Sequence, residues 1–259
     1  MSVENQLVSI VVPVFNEEAG IEQLKDKLLS LHGLLAHEFE MELVIVDDGS
    51  SDRTVERLRE RFADAPVPFT ITEHGTNRGI GAAFRTGFEN CRGSLICTID
   101  ADCSYSPEGL RLLLMALRVT GADIAVASPY HPQGGVEGVP PWRLLLSQGC
   151  SQLYRWFSPL KLYTYTSIFR AYRATVIQSV AFRSNGFVSA AEILIAAGRR
   201  GYSVTEVPLV LRARTAGQSK MKIMRTIASH LAMLWSLIAP TATPARLAPR
   251  TSNALDDRN

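Results

Sequence analysis

The sequence predicts an α/β protein built on a doubly wound, mostly parallel sheet, and three observations predict it. Short β-branched runs alternate with helically spaced segments through the first half of the chain, the pattern of strands joined by right-handed helical crossovers. The runs are continuously apolar rather than alternating, as expected of strands covered on both faces. Acidic residues, namely Asp47, Asp48, Asp100 and Asp102, follow directly on such runs. Open α/β sheets bind their ligands outside the carboxyl ends of the strands.

Residues 8–14 (VSIVVPV) form the first buried strand. Asn16 is placed to cap the helix that follows, with Glu17 and Glu18 in its first turn, where the helix dipole favours acids. Ile21, Leu24, Leu28 and Leu31 then recur at helical spacing. Residues 41–46 (MELVIV) are a second strand, closed by the turn formers of 47–52 (DDGSSD). A polar helix runs through about residue 61, a third strand covers 69–73, and 79–90 reads as a helix. Residues 94–99 (SLICTI) are another buried strand, ending directly on Asp100-Ala101-Asp102. A helix over 110–119 and a strand over 123–127 complete the first half of the chain.

The second half is organised differently. Residues 131–141 (HPQGGVEGVPP) are a loop rich in Gly and Pro, and 142–157 an amphipathic helix with aromatics. A strand is expected over 167–171 and a helix over 187–200. The strand over 204–211 contains Pro208, which marks a sheet edge. Residues 240–259 are expected to be disordered. No internal repeat is present.

Composition narrows the function classes. The 259 residues suit one large domain with appendages. A net charge of +2, with no basic stripe interleaved with aromatics, gives no reason to expect a nucleic-acid partner. Cys91, Cys97, Cys103 and Cys150 form no CxxC pair, so reduced thiols are expected rather than structural zinc or disulfides. No basic-then-apolar leader precedes the first strand, which implies a cytoplasmic site of action.

Asp100-Ala101-Asp102 is the most informative feature. Two carboxylates one residue apart at a strand end can share a hard divalent cation, and Mg²⁺ and Mn²⁺ favour one or two carboxylates together with substrate phosphates. Such a cation neutralises the charge that develops on a diphosphate leaving group. An isolated pair of this kind is more often a helix cap beside a solvated acid. The buried strand before it and the second acidic turn at Asp47-Asp48 point instead to a metal–diphosphate site. Asp47 or Asp48 is placed to accept a base N–H or a ribose hydroxyl, although turn formation alone accounts for Gly49, Ser50 and Ser51.

The ordered set PVFNEE (13–18), VDDGSSD (46–52), NRGIGAAFRTGF (77–88) and DADCSYSPE (100–108) resembles glycosyltransferase family 2. GGVEG (134–138), TSIFRAYR (166–173) and EVPLVLRARTAGQSKMK (206–222) resemble its dolichyl- or polyprenyl-phosphate mannose synthase branch. The resemblance implies a GT-A (Rossmann-like) domain over residues 1–218, with a nucleotide-sugar half over about 1–128 and an acceptor half over about 129–218. It implies inverting transfer of a hexose, mannose or glucose, from a GDP- or UDP-sugar to a polyprenyl phosphate. By position, Pro13, Phe15, Glu17, Asp47, Asp48 and Ala101 would line the nucleotide pocket. Asp100 and Asp102, with Ser104 or a water, would hold Mg²⁺ or Mn²⁺. Arg214 and Lys220 would grip phosphates, Arg by its planar fork and Lys as a point charge; a solvated basic patch is the competing account of these cations. Ser104 stands where relatives often carry Gln, and Pro129 where they commonly carry an Arg. Tyr165 and Ile168 are further departures on the acceptor side.

Residues 227–239 (IASHLAMLWSLIA) are apolar and carry a Trp, with basic residues just before them. Thirteen residues fall short of the roughly 20 that span a bilayer, so 219–239 is expected to lie on an anionic leaflet as an interfacial helix. Packing on the domain or on a partner is the competing account. The expectation is a peripheral enzyme on the cytoplasmic face, with an integral-membrane partner or a homo-oligomer as companion. Two other functions compete: transfer to a hydroxyl acceptor, for which Glu192 is the candidate base, and a silent nucleotide- or lipid-binding subunit.

Overall fold

The structure, a computed structural model, describes residues 6–102, 104–213 and 223–238. The first half runs β1 (Gln6–Val14), a 3-10 turn (Glu18–Gly20), α1 (Ile21–Leu35), β2 (Phe39–Asp47), α2 (Thr54–Phe62), β3 (Phe69–Glu73), α3 (Ile80–Glu89), β4 (Leu95–Thr98), α4 (Pro107–Thr120) and β5 (Ile124–Ser128). The second half adds β6 (Gly135–Glu137), α5 (Pro141–Phe157), β7 (Arg170–Arg173), α6 (Ala174–Ser179), α7 (Ser189–Arg199), β8 (Val204–Pro208), β9 (Val210–Arg212) and α8 (Ile223–Ile238).

One seven-stranded sheet, in the order β3-β2-β1-β4-β7-β5-β8, runs through both halves. β7 is antiparallel to β4 and β5, and the other pairings in this sheet are parallel. The expected doubly wound, mostly parallel α/β architecture is therefore present. Alternate residues of each strand face opposite layers. Val8, Ile10, Val12 and Val14 join Leu43 and Ile45 in a core under α1, α2 and α4. Val11, Val44 and Ile96 point the other way, into a core with Phe84 of α3, Tyr154 of α5, Leu194 of α7 and Leu234 of α8. Full burial of each such side chain contributes about 1.5–3 kcal/mol, so continuous apolar strands are what a two-faced sheet requires.

The chain moves outward from β1 through β2 to β3 and then returns to pair β4 with β1 on its other side. That reversal is a topological switch point, where the loops after two adjacent strands diverge and leave a crevice. The loops after β1 and β4 carry Phe15 to Glu18 on one side and Asp100 on the other.

Four local expectations change. Asn16 is not a helix cap: it sits at φ 51, and the helical chain begins only at Glu18. The strand expected at 167–171 begins at Arg170, because Ser167 is drawn into a local bond from the Phe169 N–H (3.3 Å). The strand expected over 204–211 is two strands: β8 ends at Pro208, and β9 leaves to pair with β6. β8 is nonetheless an edge strand, as Pro208 implied. β6 itself lies within the stretch expected to be a loop.

Candidate active site

The loops after β1 and β2 are latched together by hydrogen bonds. Asn16 Oδ1 accepts the Ser51 N–H (2.7 Å), and the Asn16 N–H donates to Ser50 Oγ (2.8 Å). The Glu17 N–H donates to Thr54 Oγ1 (2.8 Å), and the Arg57 guanidinium reaches Glu18 (3.1 Å). The positive φ of Asn16 lets its short side chain fold back onto the neighbouring loop, a conformation that Asn tolerates. Gly49, at φ 78, has no room for a side chain: a Cβ there would lie 2.4 Å from the Thr76 carbonyl carbon.

Asp47 and Asp48 are buried at the end of β2. Asp47 Oδ2 accepts the N–H groups of Gly49 (3.1 Å) and Ser50 (2.9 Å), and Oδ1 accepts the Ser50 hydroxyl. Asp48 Oδ1 meets His74 Nδ1 (2.8 Å) and the Arg78 N–H (2.9 Å), while Oδ2 accepts the Gly79 N–H (2.7 Å). Each carboxylate thus builds a loop of the crevice. Pro13, Phe15 and Glu17 are half-buried at the carboxyl end of β1. Val11 is the last β1 residue paired with β4, and its carbonyl accepts the Ile99 N–H (3.1 Å). Pro13 therefore lies beyond the β4 ladder, where a missing N–H breaks no strand hydrogen bond.

Asp100 follows β4 and is half-exposed. It lines two cavities: one of about 30 Å³ against α1 and α4, and one of about 270 Å³ toward the second half of the chain. Tyr105, stacked on Phe169 with ring centres 4.6 Å apart, stands between them. Burial pushes the Tyr105 phenol well up, and the Asp100 charge adds to that. Asp102 Oδ1 accepts both the N–H (3.1 Å) and the hydroxyl (2.5 Å) of Ser104, an Asx-type turn that fixes the carboxylate. Ser104 lines both cavities. Among the described residues no group of three His, Cys, Asp or Glu side chains is arranged around a metal. Two carboxylates at a strand end nonetheless match the donor set of a Mg²⁺ or Mn²⁺ that keeps waters and binds substrate phosphates.

The larger cavity is roofed by α5 and by Thr226, Ile227 and His230 of α8. Its polar lining includes Arg143, Ser147 and Thr166, the last two bonded to each other at 2.6 Å. Arg143 Nε is buried without a hydrogen-bond partner. Arg143 is the only guanidinium or ammonium, and Asp100 the only carboxylate, among the described lining residues. Arg143 was not among the residues singled out from sequence, yet a signal exists. It lies in the first turn of α5, which contains no acid, and a cation there opposes the helix dipole. Arg214 and Lys220 lie outside the described residues.

The family model for glycosyl transferase family 2 matches residues 9–180. The chain belongs to this family. It is 33% identical to the dolichol-phosphate mannosyltransferase of Pyrococcus furiosus over 89% of its own length and 63% of that relative's, so it spans less than two thirds of that protein. It is 32% identical to the polyprenol monophosphomannose synthase of Mycolicibacterium smegmatis, over 83% of this chain and 81% of the relative. Glucosyl-3-phosphoglycerate synthase from Mycobacterium tuberculosis, solved with Mn²⁺, UDP and glucosyl-3-phosphoglycerate, superposes with a TM-score of 0.67 over 92% of this chain and 82% of that one. At 18% identity that likeness shows the fold alone, and it is the GT-A type of glycosyltransferases.

Proposed function

We propose that this family 2 glycosyltransferase moves a hexose from a GDP- or UDP-sugar to a polyprenyl phosphate, inverting the anomeric centre. The observation that carries this is the make-up of the larger cavity: it opens beside Asp100, its walls include Leu144, Leu146, Phe187, Leu211 and Ile227, and its cation has an unpartnered N–H. A phosphate acceptor arrives as an anion and needs a cation to hold it near the donor, not a base. A hydroxyl acceptor needs a base. Glu192, the candidate for that role, instead accepts the N–H groups of Arg183 (3.0 Å) and Ser184 (2.9 Å) and does not line the cavity.

In this reading the acceptor phosphate oxygen attacks the anomeric carbon from the side opposite the diphosphate. The bond from that carbon to the diphosphate oxygen breaks, and the diphosphate leaves with the electron pair. Asp100 and Asp102 would hold a Mg²⁺ or Mn²⁺, which would supply positive charge to neutralise the departing diphosphate. Arg143 takes the acceptor phosphate, supplying from α5 the positive charge absent at Pro129. Asp47 and Asp48 act through the loops they brace. The names of the two sequence relatives, a dolichol-phosphate mannosyltransferase and a polyprenol monophosphomannose synthase, support the same acceptor class.

The two helices that roof the cavity, α5 and α8, also expose Leu145, Trp156, Leu231 and Trp235. No helix among the described residues is long and apolar enough to cross a membrane. An enzyme resting on the cytoplasmic leaflet, with these side chains at the interface, would meet the lipid phosphate without extracting the chain. Replacing Arg143 with Ala tests the acceptor assignment: the KM for a short polyprenyl phosphate should rise at least tenfold, on the order expected for a lost charge-assisted bond, with the donor KM within about twofold. An unchanged acceptor KM would remove Arg143 from the site.

A further inference from the structure

The described part of α8 is largely apolar, yet it buries one histidine. His230 is 6% exposed, on the helix face that also turns Thr226 and Ile227 toward the larger cavity. Its Nδ1 lies 2.8 Å from the hydroxyl of Tyr154, a fully buried residue of α5. That hydroxyl has no other partner among the described residues. If it accepted a proton from the ring, its own proton would be buried without an acceptor, at a cost of about 1–3 kcal/mol. The tautomer that satisfies both groups has Tyr154 donating to Nδ1, which leaves the proton on Nε2. Nε2 has no partner among the described residues, and the ring lines a cavity. Burial lowers the His230 pKa, keeping the ring neutral before a ligand arrives.

We infer that His230 is an acceptor-binding residue, donating its Nε2–H to the phosphate of the prenyl phosphate in the cavity that Arg143 also lines. The inference rests on the proposed acceptor. It gives α8 a second role: besides resting against the membrane, the helix completes the site. A neutral donor suits this position, since it adds a hydrogen bond to the anion without placing a second fixed cation in an apolar cavity, where an unpaired charge is costly. The Tyr154 bond sets the ring's tautomer and direction, as an outer partner does for a histidine that faces a ligand.

The test uses the full chain, farnesyl phosphate as acceptor and the donor sugar nucleotide that the wild type uses, with two variants. In His230→Asn the amide oxygen can still accept the Tyr154 proton, but no donor reaches the Nε2 position. In His230→Gln the longer amide restores a donor near that position. The expected result is a rise of about tenfold or more in the farnesyl phosphate KM for the Asn variant, with kcat and donor KM within about twofold, and recovery of most of that loss in the Gln variant. An unchanged acceptor KM in the Asn variant overturns the inference. So does a matched rise in donor and acceptor KM in both variants, which would mark the histidine as a helix latch alone. If the wild type neither binds nor glycosylates farnesyl phosphate while still consuming donor, the acceptor assignment fails first, and the inference fails with it.

Discussion

Asp102 illustrates how one side chain can serve fold and chemistry together. The N–H and hydroxyl of Ser104 occupy one carboxylate oxygen at 3.1 and 2.5 Å, which aims the carboxylate before any cation binds. Changing Asp102 to Ala should lower transfer by at least about a hundredfold, the scale of losing a group that stabilises developing charge. Its melting temperature should stay within a few degrees, because the residue is only partly buried. Activity near that of the wild type in a correctly folded variant would remove the metal role. Single residues were unevenly legible. The Asp100 and Asp102 pair was visible because a buried strand ends on it. The engagement of Asp47 and Asp48 was not, because their partners are backbone N–H groups of 49–50 and 78–79, and sequence carries no mark of which amide turns inward. The roles proposed for Arg143 and His230 were not legible, because a lone Arg or His in a helix reads as solvated surface or ordinary core until a cavity appears beside it.

At the scale of elements, strands were read closely wherever β-branched runs were long. β3 was placed at its observed limits, 69–73, and β1, β2, β4 and β5 to within two residues. β6 and β9 escaped notice because three residues of strand carry no periodicity, and their pairing joins segments 75 residues apart, for example Glu137 with Arg212. The far end of the sheet holds a different device. Glu42 of β2 is buried and accepts bonds from Ser9 Oγ of β1 (2.6 Å) and from Arg92 N (2.8 Å) and Nε (2.7 Å), just ahead of β4. Burial pushes its carboxyl up, but these bonds and the Arg92 charge outweigh burial and hold it below the ordinary value of 4.5. A carboxylate lowered on folding stabilises the protein above its unfolded pKa, and that stabilisation is lost as pH falls through the folded one. Glu42→Gln should therefore cost about 1–3 kcal/mol at pH 7, with the difference from wild type shrinking as pH falls below 4.5. Urea unfolding at pH 7 and pH 4 measures it, and a constant difference would contradict the role.

The whole molecule is organised by one reversal of strand order and one asymmetric surface. The reversal between β1 and β4 brings the acids after β4 beside the latched loops after β1 and β2, so the proposed donor side follows from topology. The proposed acceptor side depends on α5 and α8 packing over the sheet's second half, a long-range arrangement that no local pattern announces. The apolar length of α8 was legible, but its buried contact with α5 through Tyr154 and His230 was not. One face of this helix packs on the domain through His230 and Leu234, while Leu231 and Trp235 are 58% and 72% exposed. Trp235→Ser should weaken binding to vesicles containing anionic lipid several-fold, read by co-sedimentation, while leaving the melting temperature unchanged. Equal binding of variant and wild type would return α8 to a purely packing role.

The activity proposed for this chain is metal-dependent transfer of a hexose to a lipid phosphate. The most direct test incubates the full chain with GDP- and UDP-hexoses and farnesyl phosphate, with Mg²⁺ or Mn²⁺ present and again with chelator, and follows sugar label into the organic phase. Label that extracts with the lipid is expected from at least one donor, and it should disappear with chelator. Donor consumption that yields only water-soluble product, or lipid product undiminished by chelator, would contradict it.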